Sequence, residues 1–405
     1  MNNTLLHTPE GMRDRYNEEC ARKENIKGRL MKVIHSYGYR DIETPTIEFF
    51  DIFNKDKGSV ISRDMFKLFD KENNTLVIRP DITPAIARAV SKYFADEDMP
   101  IRLSYCGNTF VNSQGHQGKM KEATQVGAEL IGDETSDADA EMIALIIDTL
   151  KSTGLLEFQV DIGHVGFFEG IVEEAGLDEE ETLELKELLE AKNYFGIDEL
   201  LSANNVSEES KNVILKITES YGTIEQISGI RDITKNEKII SSVDYLEKLY
   251  QILKFYGLEQ YVTFDLGTLS HYKYYTGIIF QAYTYGTGEM IVTGGRYDKL
   301  ISQFGKNSAS VGFGINLDML MLALSRQNIA VESDITATIV LYEREQKQFA
   351  IETAVKLRAE GCKIQLMKKF YEKSIDDYVE LGRRSFIDRI VYIDADGNTS
   401  EIKID

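Results

Sequence analysis

Tyr105-Cys106-Gly107-Asn108-Thr109-Phe110-Val111, followed after a polar, Gly-containing loop by Gln125-Val126-Gly127-Ala128-Glu129-Leu130-Ile131-Gly132, is the stretch on which the fold turns. Residues 101–105 and 122–131 read as strands flanking that loop, the second with strand-like alternation. Alternate strand residues share a face, so Gln125, Gly127 and Glu129 point the same way. An amide and a carboxylate so placed could hold an ammonium or an imidazole N–H. They could equally be solvated side chains on the open face of an antiparallel sheet, and these residues alone leave both readings open.

Working outward, residues 23–37 carry Ile26, Leu30, Val33 and Ile34 at helical spacing and stop at Gly38. Residues 39–45 read as extended, because the residue before Pro45 is pushed out of helical geometry. A strand is predicted over 76–79, an amphipathic helix over 85–94 and a strongly apolar helix over 138–150. From 167 to 256 acidic runs such as Asp178-Glu179-Glu180-Glu181 precede Leu-rich helical patterns, which reads as a helical insertion. Strand patterns return at 261–265, 278–283, 290–292 and 310–315, and a helix over 317–324 closes the set. After Ala330, strands at 336–342, 363–366 and 389–393 alternate with helices at 348–360 and 374–384, the pattern of a small α/β domain with a parallel sheet. The expected class is therefore α+β. One domain spans 1–166 and 257–328 as a largely antiparallel sheet flanked by helices, the insertion is 167–256, and the C-terminal α/β domain is 331–405.

Bulk properties narrow the function. The 405 residues can bury the cores of two or three domains, and 42% hydrophobic with 28% charged residues is ordinary for a folded chain. A formal net charge of -21 repels phosphate backbones as a whole, although a local basic patch can still bind them. Cys20, Cys106 and Cys362 lie far apart without paired spacing, so neither a disulfide framework nor a metal site is expected, and a reducing cytoplasm fits. The opening residues lack a basic segment followed by an apolar run, and no stretch is apolar enough to span a bilayer.

Two further blocks stand out. Ser270-His271-Tyr272-Lys273-Tyr274-Tyr275-Thr276-Gly277 is an aromatic cluster at a strand entry, a pattern usually belonging to a core. Thr293-Gly294-Gly295-Arg296-Tyr297-Asp298 places two glycines before an expected helix start, which would let a ligand approach the backbone. No phosphate-loop or dinucleotide fingerprint occurs, and no cofactor is expected. In this order, the blocks resemble histidyl-tRNA synthetase and its non-synthetase paralogues over nearly the whole chain. The opening Pro9-Glu10-Gly11-Met12-Arg13-Asp14, the Glu43-Thr44-Pro45 segment, Arg79-Pro80-Asp81-Ile82-Thr83 and Val311-Gly312-Phe313-Gly314-Ile315 have counterparts in that family as well. The resemblance implies a class II aminoacyl-tRNA synthetase-like fold and a homodimer formed through the region of Glu43-Thr44-Pro45.

The resemblance also shows where the sequence departs. Joining histidine to ATP needs cations over the α-phosphate, a task suited to arginine with its planar, permanently charged fork. At the three positions where the synthetase carries those arginines this chain has Val111, Ser270 and Met319. Lys119 or Lys121 could compensate for one loss. The amino-acid contacts match better: by resemblance Asp81, Thr83 and Gln125 hold the ammonium of histidine, and Glu129 and Tyr275, with Tyr274 alongside, hold its imidazole. Asp81 is one methylene shorter than the family's glutamate. This combination resembles the regulatory-subunit branch of the family. The branch implies a non-catalytic protein that assembles, as a homodimer within a hetero-oligomer, with a short-form ATP phosphoribosyltransferase catalytic subunit and carries histidine feedback. Alternatives are a divergent histidyl-tRNA synthetase and a free-standing histidine sensor or adaptor. Beyond Ala330, 12 Lys plus Arg stand against 15 Asp plus Glu, so no tRNA platform is expected; Lys368-Lys369 and Arg383-Arg384 read as solvated helix ends.

Overall fold

The computed structural model describes residues 6–53, 60–112, 120–268, 274–333 and 335–404. The chain packs as two compact units, residues 1–14 with 23–331 and residues 15–22 with 332–405. The larger unit runs α1 (Asn17–Ser36, shared with the second unit), β1 (Arg40–Asp41), β2 (Ile47–Phe49), β3 (Lys67–Phe69), β4 (Thr75–Ile78), α2 (Thr83–Tyr93), β5 (Ile101–Phe110), β6 (Glu122–Ile131), α3 (Ser136–Ser152) and β7 (Phe158–His164). A helical stretch follows: α4 (Val165–Ala175), α5 (Glu179–Glu190), α6 (Tyr194–Ala203), α7 (Glu208–Thr218), the two-residue β8 (Tyr221–Gly222), α8 (Ile224–Ser228) and α9 (Glu237–Tyr256). The unit ends with β9 (Val262–Asp265), β10 (Ile278–Thr284), β11 (Val292–Arg296), α10 (Asp298–Ser302), β12 (Ser310–Asn316) and α11 (Leu317–Arg326).

A nine-stranded sheet of order β1-β5-β6-β12-β11-β10-β7-β9-β8 organises this unit. It is antiparallel except for the parallel pairs β1–β5 and β7–β9. Next to the edge strand β1 lies the pair of ten-residue strands β5 and β6, in register from Ile101↔Ile131 to Phe110↔Glu122. One sheet face carries Val126, Ala128, Leu130, Phe313, Ile315 and Phe280 into the main core. Helix α3 is buried almost all round, because it packs against β11 and β12 on one side and α9 on the other. Thr135 caps its first turn by accepting from the Ala138 N–H. Leu185, Leu201, Leu246 and Leu249 of the helical stretch join the same apolar core as the sheet. Each such side chain contributes roughly 1.5–3 kcal/mol by leaving water.

Strand β7 was not among the expected elements, yet it pairs with β10 from Ile278↔His164 to Thr284↔Phe158. Its Phe158, Val160 and Ile162 alternate inward, but Asp161 and Gly163 are residue types depleted in strands, and they dilute the signal. The 76–79 strand forms as β4, but in a separate three-stranded antiparallel sheet with β2 and β3. Register places Ile47, Phe49, Leu76, Ile78 and Leu68 on one face of this small sheet, with Ile47 49% and Phe49 56% exposed. On the opposite face Val77 packs with Phe53 and Met65, and Glu48 pairs with Arg88 at 2.6 Å.

The second unit contains β13 (Ala337–Tyr342), α12 (Lys347–Ala359), β14 (Ile364–Lys368), α13 (Ile375–Arg384), β15 (Ile387–Ile393) and β16 (Thr399–Lys403), with sheet order β14-β13-β15-β16. The expected parallel sheet is corrected here to a mixed one: β13 pairs in parallel with β14 and β15, but β16 returns antiparallel to β15. The Asp394-to-Asn398 turn makes that hairpin, with the Asp394 carboxylate accepting from the N–H groups of Asp396 and Asn398.

Candidate functional site

The second face of the large sheet bears a polar hollow lined by Asp81, Thr83, Gln125, Glu129, Tyr274, Tyr275, Thr293, Tyr297, Gly312, Phe313 and Gly314. All six residues that sequence comparison nominates for amino-acid contact are among them. They arrive from separate elements: Asp81 from the turn before α2, Thr83 from its first position, Gln125 and Glu129 from β6, and the tyrosine pair from the approach to β10.

Glycine spacing in β12 makes this possible. Gly312 stands opposite Glu129 and Gly314 opposite Gly127 in the ladder. A Cβ on Gly312 would lie 1.5 Å from Glu129 Oε2, and one on Gly314 would lie 1.9 Å from Gln125 Nε2. Both long side chains therefore lie flat across bare backbone. The hollow measures ≈260 Å³.

Glu129 is 1% exposed, which excludes the solvated-face reading. Thr83 Oγ1 donates to its Oε1 at 2.8 Å, and the Tyr297 hydroxyl donates to Oε2 at 2.5 Å. Burial pushes the Glu129 carboxyl up to about 8; the charge of Asp81 adds to this, while the two hydroxyl donors oppose it. Burial and the neighbouring Glu129 hold the Tyr297 phenol well above its usual range, so it stays a donor. Asp81 Oδ1 accepts from the N–H groups of Ile82 (2.7 Å) and Thr83 (3.3 Å), and its Oδ2 accepts from the Tyr274 hydroxyl at 3.1 Å. Tyr274 meets both Tyr275 and Tyr297 edge to face. The tyrosines are thus packed as a small core and presented to the hollow at once.

The Gly294-Gly295 pair is not a turn before a helix. Both glycines lie within β11, α10 starts at Asp298, and their missing side chains admit protein rings: a Cβ on Gly294 would sit 2.0 Å from the Phe280 ring and one on Gly295 3.0 Å from that of Tyr275. The next two residues point to opposite faces. Tyr297 reaches Glu129, while Arg296 crosses to the far side and pairs with the fully buried Asp139 at 2.6 Å. Asp139 also accepts from the Tyr245 hydroxyl of α9.

Val111 and Met319 do not line the hollow. Val111 continues the hairpin, its N–H donating to the Lys121 carbonyl at 2.9 Å, and Lys121 itself donates to Asn112 Oδ1 at 3.1 Å. Met319 sits in the first turn of α11 and packs against the main core. Ser270 and Lys119 lie outside the described residues. Sequence reasoning missed Thr293, Tyr297, Gly312, Phe313 and Gly314 as lining residues; the alternate-glycine pattern in Gly312-Phe313-Gly314 was the available signal. Among the described residues no cluster of His, Cys, Asp and Glu could hold a metal, and no helix is long and apolar enough to cross a membrane.

Comparison with known proteins gives the lineage. The histidyl-tRNA synthetase family model matches residues 11–320. The ATP phosphoribosyltransferase regulatory subunit of Acetivibrio thermocellus is 40% identical over 89% of this chain and 86% of its own length. That of Ruminiclostridium cellulolyticum is 37% identical over 97% and 93%. A crystal structure from Bacillus halodurans, described as an ATP phosphoribosyltransferase regulatory subunit/histidyl-tRNA synthetase, superposes with a TM-score of 0.85 at 34% identity, covering 96% of this chain and 98% of that one. Histidyl-tRNA synthetase from Nostoc, 18% identical with a TM-score of 0.80 over 98% and 97%, shares the fold. On a class II synthetase scaffold, then, the chain belongs to the family of ATP phosphoribosyltransferase regulatory subunits.

Proposed function

We propose that this chain is a non-catalytic, histidine-responsive subunit that assembles with a short-form ATP phosphoribosyltransferase catalytic subunit, supports the first step of histidine biosynthesis, and binds histidine in the hollow around Glu129. The observation that carries this is the meeting of Asp81, Thr83, Gln125, Glu129, Tyr274 and Tyr275 in one buried site. Two carboxylates suit the ammonium and imidazole ends of histidine, and the surrounding hydroxyls fix orientation. Linkage then gives regulation: histidine that prefers one state of the assembly biases the catalytic partner toward that state.

The reading as a non-enzyme rests on Val111, Ser270 and Met319, the positions where the resembled synthetase has arginine. Electrostatics favours it over a divergent synthetase. Residues 167–256 hold 20 Asp plus Glu against 9 Lys plus Arg, a region that would repel an RNA backbone. ATP-dependent pyrophosphate exchange with histidine would restore the synthetase reading. Mixing the chain with a short-form catalytic subunit tests the main one: a complex with raised, histidine-inhibitable activity is expected. Neither complex nor activation would refute the partner assignment and leave a free-standing sensor. The open apolar face of Ile47, Phe49, Leu68, Leu76 and Ile78 supports a homodimer through this small sheet. Light scattering should give twice the chain mass, and Phe49→Asp should halve it.

A further inference from the structure

Resting on the reading that histidine occupies the hollow, we infer that Glu129 is a proton donor to its ligand: a carboxylic acid in the empty site and a carboxylate against an imidazolium in the filled one. The geometry is that of a carboxyl shielded from bulk solvent. Glu129 lies at 1% exposure, and both its oxygens are claimed by hydroxyls of Thr83 and Tyr297. The titratable groups facing it among the described residues are the Asp81 carboxyl from the turn before α2 and the phenols of Tyr105 on β5, Tyr274 and Tyr275 ahead of β10, and Tyr297 after β11. None of these described lining residues is Lys, Arg or His. The like charges of Asp81 and Glu129 in one hollow favour one of them neutral, and Asp81, with two backbone N–H donors and the Tyr274 hydroxyl, is the better stabilised anion. The upward displacement of the Glu129 carboxyl agrees.

A histidine brings two basic groups. Its ammonium meets Asp81, and its ring meets Glu129. On binding near neutral pH the O–H bond of Glu129 breaks and an N–H bond forms on the ring, so one proton moves within the complex and none is exchanged with solvent. Below the ring's ordinary value of about 6.5 the ligand arrives already cationic, and the Glu129 proton leaves to solvent instead. The device selects a ligand class, a basic heteroaromatic ring on an amine. An amino acid whose side chain cannot accept that proton, such as glutamine or phenylalanine, gains nothing from it.

Calorimetry of histidine binding to the full chain, in pairs of buffers differing in ionisation enthalpy, counts the protons. Release of about one is expected at about pH 5.5 and close to none at about pH 7. Ring-15N-labelled histidine should show both ring nitrogens protonated in the complex at about pH 7, where free histidine is mostly neutral. In Glu129→Gln that imidazolium signature should disappear and affinity fall roughly 10- to 100-fold. Uptake of a proton at neutral pH, or a neutral bound ring, would overturn the inference while leaving the histidine site standing. An absence of histidine binding to the wild type would overturn both.

Discussion

Gly312→Ala is the sharpest perturbation the hollow offers. The added methyl carbon would stand 1.5 Å from Glu129 Oε2, 2.5 Å from its Cδ and 2.9 Å from the Ala128 carbonyl oxygen. Ordinary contact needs about 3.5 Å, so the carboxyl must move by about 2 Å or the strand must part from its neighbour. The ladder from Ser310↔Ile131 to Asn316↔Gln125 resists the second option, and Thr83 and Tyr297 hold the carboxyl against the first. Moving it away forfeits one or both of those buried hydrogen bonds, at about 1–3 kcal/mol each. Urea unfolding should therefore show a loss of about 2–5 kcal/mol, and calorimetry should find histidine binding weakened at least about 100-fold. Gly28→Ala is the matched control. Gly28 lies exposed inside α1 with no atom within 4 Å of the added carbon, so the same chemical change should stabilise by about 0.5–1 kcal/mol. Near-normal stability and histidine affinity in Gly312→Ala would refute the argument that bare backbone at this position gives Glu129 its place.

Arg296, Glu129 and His164 offer further tests. Arg296→Met strands the fully buried Asp139 carboxylate and should cost about 3–5 kcal/mol in urea unfolding. Without its partner Asp139 titrates still higher in the folded state than in the unfolded chain, so the deficit should shrink on acidification, and an unchanged deficit at low pH would contradict this. For Glu129 the folded value of about 8 exceeds the ordinary 4.5, so its favourable contribution is complete below 4.5 and is lost as pH rises through 8. Wild-type stability should decline by up to several kcal/mol across that window relative to Glu129→Gln, as comparison of urea midpoints near pH 5 and pH 8.5 would show. Half-buried His164, pulled down to about 4 by desolvation, works in the opposite direction: stability falls as pH drops below 6.5, and His164→Gln should flatten that acid limb.

The sequence reading reached β6 residue for residue, because alternating apolar positions bounded by a polar loop and a glycine leave little else for the segment to do. It also set Gln125 and Glu129 on one face. What it could not supply was burial, since exposure depends on what covers a face. Here the cover is Thr83, 46 residues away, and Tyr297, 168 residues away. The Gly294-Gly295 pair misled for a related reason. A glycine in a strand marks close approach of something, and local sequence does not say whether that is a ligand or the Phe280 ring. The mixed order of the C-terminal sheet was hidden because Thr399–Lys403 is polar and largely exposed, the composition of an edge strand and of a loop alike.

The flat floor of the hollow has a consequence for how this scaffold can drift in sequence. A wall of side chains changes shape with every substitution, but a floor made of main chain is fixed by the spacing of paired strands, about 4.8 Å, whatever happens at the rim. Val111 at the end of the hairpin and Met319 at the head of α11 lie off that floor, one in a backbone ladder and the other against the core. Exchanges at those places leave the cavity's dimensions untouched. The hollow and these two positions are therefore separable by mutation, and a lineage can change one while inheriting the other unaltered.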